Sequence, residues 1–475
     1  MSSSHTPTHS TEVERDRAVL VAVHLPHVSD VEHEADLAEL GRLVHTLGMD
    51  VVATISQRRD SLAAGTVLGK GKLAELGKLT GGSGVVGSFA AQKTSKAQAR
   101  WNAEAGDEVE DDEDSDDDDE GGDGTTRVHD ASKKATVVVV DHEITPTQAR
   151  NLEKATGAKV LDRTGVIVDI FHRHARSREA RLQVEMARLT YVAPRLREST
   201  GGSERQRGRG AGESALELDR RKIRDRLAEI REELVLIQKE QDNRRYARRD
   251  QLRVALVGYT NAGKSSWMRA LTGSEVLVAD KLFATLDTTV RALHPETKPR
   301  ILVSDTVGFI QKLPHDLVAS FRSTLDEALE ATLLFHVVDA SDPTYENQLE
   351  VTRSVLEEIG AKDVAAVLLF NKLDRVDEDA AAALRRKYGN EALYLSSRRP
   401  EDVAALHAYI VTYFESRMEE ADILVPYAKQ SQLGTVYETA RVVEETYDER
   451  GARLRVRGMP AAVAKLRHTF GEGAA

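Results

Sequence analysis

The chain has 475 residues, 40% of them apolar, and a net charge of −12 from 66 Lys and Arg against 78 Asp and Glu. This length predicts about two to four domains with true cores. Because cysteine is absent, disulfides, zinc ribbons, iron–sulfur clusters and thiol nucleophiles are excluded. No apolar run approaches the roughly 18 residues that span a bilayer, and the polar start lacks a signal-peptide core, so we expect a cytoplasmic protein with no membrane span.

The first folded region is predicted at residues 18–172, after a polar start at residues 1–17 that we expect to be disordered. β-branched runs typical of strands lie at 19–23, 51–55 and 136–140, and helical stretches lie between them at 32–47 and after them at 146–156. Strands that alternate with helices predict a parallel α/β layer. The run from Gly69 to Lys72 before a further helix fits either an anion site or an ordinary helix start.

Most of the acidity lies in one insert within this region. Between Glu104 and Asp123 there are 14 Asp or Glu and no Lys or Arg, so the rest of the chain has a net charge of +2. A run of like charges cannot bury enough apolar surface to offset its ordering entropy, and residues 104–124 are therefore predicted to form a disordered loop. The insert is either a nucleic-acid mimic that competes for a basic surface or a simple solvated insertion.

A helical hairpin is predicted at residues 173–250. Apolar residues recur at spacings of three and four in two series, at 182, 186, 189, 193 and 196 and at 223, 227, 230, 234 and 237. Each series is a heptad seam, and the glycine-rich link at 200–212 predicts an antiparallel pair with a flexible tip.

The hairpin is also basic, with 21 Lys or Arg against 14 Asp or Glu between Phe171 and Asp250. Arg205, Arg207 and Arg209 lie at its tip without nearby aromatic residues, a pattern that suits contact with RNA phosphates more than reading of bases. The alternative is a solvated coiled-coil surface, on which mixed charges are ordinary.

A phosphate-binding loop opens the next region, a regular α/β domain at 251–420. The sequence GYTNAGKS follows an apolar strand at 252–257 and begins a helix at 264–271, which is the context that this motif requires. Backbone N–H groups would face phosphate oxygens, Lys264 would face the terminal phosphates, and Ser265 would ligate Mg²⁺. The nucleotide-binding residues predicted here are Gly258, Tyr259, Thr260, Asn261, Ala262, Gly263, Lys264, Ser265 and Ser266.

The strand at 301–304 leads into Asp305-Thr-Val-Gly308, where Asp305 would hold Mg²⁺ through water and the Gly308 N–H would reach a γ-phosphate. Upstream of this motif, Thr285 is predicted to contact Mg²⁺ and the γ-phosphate. Thr288 and Thr289 carry the same chemical groups and remain alternatives. We therefore expect Lys264, Thr285, Asp305 and Gly308 to be the catalytic residues. Position 309, where a glutamine orients the attacking water in Ras-type enzymes, is Phe309, which cannot hold water.

Base selection is predicted at the ends of two later strands. Asn371, Lys372 and Asp374 follow the strand at 366–370, and the carboxylate of Asp374 would accept both N–H groups on one edge of guanine. Ser396, Ser397 and Arg398 follow a strand at 392–395 and depart from the usual Ser-Ala-Lys at the second and third positions. The combination predicts a GTP-binding domain rather than a kinase or ATPase that reuses the phosphate loop.

Residues 421–475 predict a small α+β domain. The pattern indicates a strand at 423–425, a helix at 430–439, hairpin strands at 442–447 and 453–457, and a final helix from Pro460. This order suits a docking module, and its residues carry no recognisable chemistry.

Several segments together resemble the HflX family of ribosome-associated GTPases over nearly the whole chain. They include GKGKLAEL at 69–76, the long run from Ile144 to Leu196, ELDRRKIRDRL from Glu217, LFATLD, DTVGFIQKLP and NKLD. In the family pattern Thr285 is the switch threonine and position 309 is also hydrophobic. The chain departs from the family pattern at three places. Ala211 replaces a proline at the hairpin tip, Thr288 replaces another proline, and the acidic insert is absent from the pattern.

The resemblance implies four folded parts: an N-terminal α/β nucleotide-binding-like domain, a helical hairpin, a P-loop GTPase domain and a small C-terminal α+β domain. It also implies a GTPase that uses Mg²⁺, binds the large ribosomal subunit through ribosomal RNA, and splits or rescues stalled or idle ribosomes. We expect a monomer whose hydrolysis is slow alone and stimulated by the ribosome. The alternative is a GTP-switched RNA- or assembly-binding regulator with slow, non-essential hydrolysis.

Overall fold

The computed structural model describes residues 15–86, 124–130, 132–197, 215–247, 251–273, 282–283, 288–312 and 327–470. The chain divides into two compact units, one formed by residues 1–169 with 192–212 and the other by residues 170–191 with 213–475. The mixed α/β class predicted from the sequence is confirmed.

The first unit is built on a five-stranded sheet in the order β3-β2-β1-β4-β5. Its strands are β1 (Arg17–His24), β2 (Asp50–Arg58), β3 (Gly124–Val128), β4 (Val137–Val140) and β5 (Lys159–Asp162). Its helices are α1 (Asp30–Thr46), α2 (Lys70–Thr80) and α3 (Pro146–Thr156). All neighbouring strands are parallel except β3, which is antiparallel to β2.

Runs of valine form the centre of this sheet because helices cover both of its faces. Every residue of β4 is buried, as are the inner residues of β1, and such continuous apolar strands are typical of parallel sheets. Helix α3 begins where the sequence predicts, since Thr145 and Gln148 form a capping box and Pro146 follows the cap.

Two boundaries in this unit differ from the prediction. Strand β1 begins at Arg17, which pairs with Asp50, so the ordered chain begins before residue 18. Gly124, assigned to the disordered acidic loop, instead starts β3 and pairs with Gln57. The short β3, whose residues are all partly or fully exposed, was not predicted because it lacks the continuous apolar run that marks a buried strand.

A buried ion-pair cluster joins three elements of the first unit. Arg163 begins α4 (Arg163–His174), and its guanidinium donates to Asp141, just after β4, at 2.7 Å and to Glu39 of α1. The Arg163 side chain is 2% exposed and its two partners are 3–4% exposed. Charges this deeply buried are tolerated because each is paired.

The hairpin helices are α5 (Arg178–Val192) and α6 (Ala215–Ala247). Arg226 pairs with Glu185 and Arg178 pairs with Glu233, so residue numbers rise on one helix as they fall on the other and the pair is antiparallel. The first seam was predicted to continue to Leu196, but α5 ends at Val192 because Pro194 disfavours helical geometry at the residue before it. The predicted boundary between residues 172 and 173 falls inside α4.

The second unit contains a six-stranded sheet in the order β11-β10-β9-β6-β8-β7. Its strands are β6 (Leu252–Gly258), β7 (Thr289–Ala292), β8 (Ile301–Asp305), β9 (Leu333–Asp339), β10 (Ala366–Asn371) and β11 (Leu393–Tyr394). Its helices are α7 (Lys264–Thr272), α8 (Tyr345–Glu358), α9 (Glu378–Tyr388) and α10 (Pro400–Glu415). Only β7 runs antiparallel to its neighbour.

The same unit ends in a three-stranded antiparallel sheet in the order β12-β14-β13. The elements are β12 (Glu419–Pro426), α11 (Leu433–Thr439), β13 (Arg441–Asp448), β14 (Gly451–Gly458) and α12 (Pro460–Phe470). The helix predicted at 430–439 is shorter, since a 3₁₀ segment occupies Tyr427–Gln432. Strand β12 begins two residues before the predicted domain boundary at 421.

Among the described helices, none combines the length and apolar character that crossing a membrane requires. Several predictions lie outside the described residues: disorder at residues 1–14, the acidic loop at 104–123, the tip arginines Arg205, Arg207 and Arg209, and Thr285.

Candidate nucleotide-binding site

The predicted phosphate loop connects β6 to α7 at the carboxyl edge of the sheet. Gly258 has φ +149° and Gly263 has φ +99°. A side chain at Gly258 would strike the Val337 carbonyl, and one at Gly263 would strike the Asn371 amide. Asn371 in turn donates to the Ala262 carbonyl at 2.8 Å, so glycine at position 263 allows the phosphate loop and a distant strand end to meet.

Lys264 is buried at the start of α7. Its ammonium donates to the carbonyls of Gly258 at 3.0 Å and Tyr259 at 2.7 Å. Desolvation lowers the pKa of Lys264 to about 8, although the nearby Asp305 carboxylate acts in the opposite direction. The loop therefore holds a cation that an anionic ligand would stabilise in its charged form.

Ser265 and Asp305 form the candidate metal site. The Ser265 hydroxyl donates to Asp305 Oδ2 at 2.6 Å, and Asp305 is fully buried at the end of β8. A hydroxyl and a carboxylate are hard oxygen donors that suit Mg²⁺ completed by phosphate oxygens and water. Thr289 lies in β7, opposite Asp305, and Thr288 directly precedes that strand.

The segment after Asp305 lies against the phosphate loop. The Thr260 N–H donates to the Phe309 carbonyl at 2.7 Å, and the Phe309 N–H donates to the Gly258 carbonyl at 3.1 Å. The Tyr259 hydroxyl also accepts from the Gln311 N–H at 2.7 Å. Phe309 is only 2% exposed, so its ring belongs to the core and presents no polar atom to a ligand.

The candidate base site lies at the ends of β10 and β11. Asp374 Oδ1 accepts from the Ser396 hydroxyl at 2.6 Å. Partial burial alone would raise the pKa of Asp374, but this hydrogen bond and nearby cationic groups lower it overall. Asp374 is therefore held as a carboxylate, which can accept two N–H donors from a purine edge.

The neighbouring motif residues are held by hydrogen bonds within the site. The Ser397 N–H donates to Asn371 Oδ1 at 3.2 Å. Arg398, the departure from lysine, is 71% exposed, and its guanidinium lies 4.0 Å from Asp374 Oδ2. The unusual arginine thus adds positive charge beside the carboxylate.

Two positioning residues were missed by sequence reasoning. Asp339, at the end of β9, accepts from Lys372 Nζ at 2.7 Å, and Asp402 of α10 accepts from the Ser396 N–H at 2.8 Å. For Asp339, its position at a strand end was a sequence signal that could have identified it. Asp402 had none, since an acidic residue in the first turn of a helix is ordinary.

The run at Gly69 to Lys72 gives no open anion site around Lys72. Gly69 precedes α2, and its N–H donates to Gln57 Oε1 at 2.9 Å. Lys72 donates to Glu75 at 2.9 Å and to Thr126 at 3.0 Å. These contacts favour the helix-start interpretation.

Comparisons with known proteins cover most of the chain. Residues 34–104 and 125–172 match the family model "GTP-binding GTPase N-terminal", residues 174–248 match "GTP-binding GTPase Middle Region", and residues 253–372 match "50S ribosome-binding GTPase". GTPase HflX of Gluconacetobacter diazotrophicus is 62% identical over 453 residues, which span 95% of this chain and 97% of that protein.

GTPase HflX of Escherichia coli is 39% identical over 332 residues, or 68% of this chain and 78% of that protein. Among solved structures, a GTP-binding protein from Sulfolobus solfataricus in complex with GDP is 20% identical, with a TM-score of 0.41, over 84% of this chain and 98% of that one.

Proposed function

Because this chain belongs to the HflX family and is a GTPase, we propose that it binds the large ribosomal subunit and uses GTP to split or rescue stalled or idle ribosomes. It acts as a monomer in the cytoplasm, where its ribosomal partner lies. The observation that carries the proposal is a preorganised guanine-nucleotide site that follows directly after a basic helical hairpin.

The phosphate end of the site acts through positioning and charge. Lys264 faces the terminal phosphates, and the Gly308 N–H faces the γ-phosphate. Mg²⁺, when bound, neutralises charge that develops during phosphoryl transfer, and Ser265, Thr285 and water-linked Asp305 hold it. The short Ser265–Asp305 contact supports this assignment, because both oxygens already lie together at the strand end.

Asp374 selects guanine over adenine at the other end of the site. Its carboxylate accepts the paired N–H donors of guanine, an arrangement that adenine lacks on that edge. The Ser396 hydrogen bond to Asp374 supports this role because it holds the acceptor in one orientation. The segment from Ser396 to Arg398 contributes a backbone donor near the guanine carbonyl.

The helical hairpin contacts ribosomal RNA. Its net charge of +7 between Phe171 and Asp250 favours a polyanionic partner. Arg205, Arg207 and Arg209 contact phosphates at the tip, and the C-terminal α+β domain adds a second contact to the ribosome.

Co-sedimentation with purified large subunits tests this proposal. We expect the protein to pellet with the subunits in the presence of a non-hydrolysable GTP analogue and to remain in the supernatant with GDP. Equal pelleting with both nucleotides would support the alternative of an RNA- or assembly-binding regulator with slow, non-essential hydrolysis. No pelleting with either would remove the ribosome as the partner.

A further inference from the structure

Thr260, the third residue of the phosphate loop, has a side-chain hydroxyl without a partner among the described residues. The residue is 7% exposed, its Oγ1 is buried, and Oγ1 makes no hydrogen bond within the part of the chain that the structure describes. Buried hydroxyls are normally paired, because an unmatched one loses its hydrogen bonds to water without replacement. An exception inside a candidate active site therefore calls for a functional explanation.

Three neighbouring hydroxyls are bonded within the protein. Thr306 Oγ1 donates to the Leu256 carbonyl at 2.8 Å, Ser304 Oγ donates to the Val254 carbonyl at 3.3 Å, and Ser265 Oγ donates to Asp305. Thr260 differs from these three, since only its backbone N–H is used. Its hydroxyl consequently contributes no contact that a valine methyl group would not replace.

The position of Thr260 places it at the γ-phosphate end of the site. A Cβ built on Gly308 would lie 2.9 Å from both Cα and Cγ2 of Thr260 and 3.0 Å from Lys264 Nζ. The Thr260 side chain, the Lys264 ammonium and the Gly308 backbone thus converge on one point. The segment that carries Gly308 is also hydrogen-bonded to Thr260, through the Thr260 N–H and the Phe309 carbonyl.

Hydrolysis at this site needs a polar group that Phe309 does not provide. The water oxygen forms a bond to the γ-phosphorus, the bond from that phosphorus to the β–γ bridging oxygen breaks, and its electron pair leaves with GDP. The water proton passes to a γ-phosphate oxygen, which gives GDP and inorganic phosphate. A threonine hydroxyl can accept a hydrogen bond from the water while donating one to a phosphate oxygen.

We propose that Thr260 is a catalytic residue whose hydroxyl turns toward the γ-phosphate when GTP binds and orients the attacking water. This inference rests on GTP hydrolysis at the site described above. It explains why an unpaired hydroxyl is present beside Gly308, and it assigns to the phosphate loop a role that the buried phenyl ring cannot perform.

The test compares Thr260→Val, which removes only the hydroxyl at similar volume, with Thr260→Ser, which keeps it. Single-turnover GTP hydrolysis is measured for the full chain alone and with large ribosomal subunits, along with affinity for a fluorescent GTP analogue. We expect Thr260→Val to slow hydrolysis about tenfold or more in both conditions, with GTP affinity nearly unchanged. Thr260→Ser should retain most of the rate.

Stability distinguishes this role from a structural one. Because the hydroxyl has no partner, Thr260→Val should not lower the thermal midpoint of the nucleotide-free protein. Thr352→Val is a matched control, since Thr352 is also buried but its hydroxyl donates to the Gln348 carbonyl at 2.8 Å in α8. This control should lose some stability and keep its hydrolysis rate.

An unchanged rate in Thr260→Val would overturn the proposal. The proposal would also be overturned if Thr260→Val lost both hydrolysis rate and thermal stability while Thr260→Ser hydrolysed GTP just as slowly. The proposed ribosomal function fails separately, if the parent protein does not co-sediment with large subunits. In that case the hydrolysis rates of the variants without ribosomes still decide the role of Thr260.

Discussion

Asp374, the residue proposed to recognise guanine, is held in place by its neighbours. Ser396 donates to one of its oxygens, and Arg398 lies near the other. These contacts keep the carboxylate charged and limit its rotation before a ligand arrives. Recognition therefore requires little reorganisation, which is the condition under which hydrogen bonds discriminate strongly between ligands.

Asp374→Asn should change the base that the protein accepts. An amide offers a donor in place of one acceptor, so GTP binding should weaken by about 10²-fold or more while XTP binding improves. Titration of both nucleotides measures the change. Asp377→Asn is a suitable control because Asp377 only caps α9, a role that asparagine also fills. Unchanged GTP affinity in Asp374→Asn would remove this residue from the site.

Arg163 shows how one residue can fix the relation between elements. It links the start of α4 to α1 and to the end of β4 through two buried carboxylates. Removal of the cation would leave Glu39 and Asp141 buried without it, which is more costly than loss of an exposed pair. Stability of the first sheet therefore depends on a contact between residues that are distant in sequence.

Arg163→Met should lower the free energy of unfolding of the first unit by about 3–5 kcal/mol. Arg127→Met removes the Arg127–Glu34 pair of the same unit, in which the arginine is 67% exposed, and should cost no more than about 1 kcal/mol. Hydrogen exchange of the buried amides in β1 and β4 under increasing urea reports the local effect. Similar small effects of both substitutions would contradict the structural role of Arg163.

The hairpin tip should contribute to ribosome binding through its positive charge. Replacement of Arg205, Arg207 and Arg209 together by alanine removes the three phosphate contacts proposed for them, so affinity for the large subunit should fall and its dependence on salt should flatten. Intrinsic GTP hydrolysis is expected to stay at the parent level, because no step at the nucleotide site uses these residues. Binding is compared across a salt series, and identical curves for parent and variant would leave the tip without an electrostatic role.

The function proposed for the whole protein couples its nucleotide site to ribosome binding, and GTP hydrolysis should therefore depend on the ribosome. Phe309 is buried and cannot orient water, so the isolated chain relies on phosphate positioning, on Mg²⁺ and on the hydroxyl proposed at Thr260. A docked partner can exclude stray water from the site.

GTP turnover should therefore be slow for the protein alone and rise when large subunits are added. Partner-dependent stimulation in GTPases reaches about 10³- to 10⁵-fold, so a large effect is physically available. Turnover is measured with and without purified large subunits at matched magnesium. If the isolated chain already turns over as fast as the complex, the limiting role of Phe309 is wrong.

Local patterns determined much of this protein. Three kinds of short-range pattern predicted their elements: the glycine, lysine and serine residues of the phosphate loop, the strand ends at Asp305 and Asn371, and the two heptad seams. Each pattern is local because it depends on the spacing of apolar and turn residues within one segment. Parallel strands then bring their carboxyl ends to one edge, so the sequence also predicts that Gly258, Asp305 and Asn371 lie near one another.

Only the tertiary structure decided which side chains touch. Three contacts join segments that are far apart along the chain or lie on different elements: Lys372 with Asp339, Ser396 with Asp402, and the buried cluster around Arg163. The unpaired hydroxyl of Thr260 likewise became visible only in the folded structure. Such contacts depend on strand order, register and rotamer, which are set by the packing of the whole core rather than by the residues on either side.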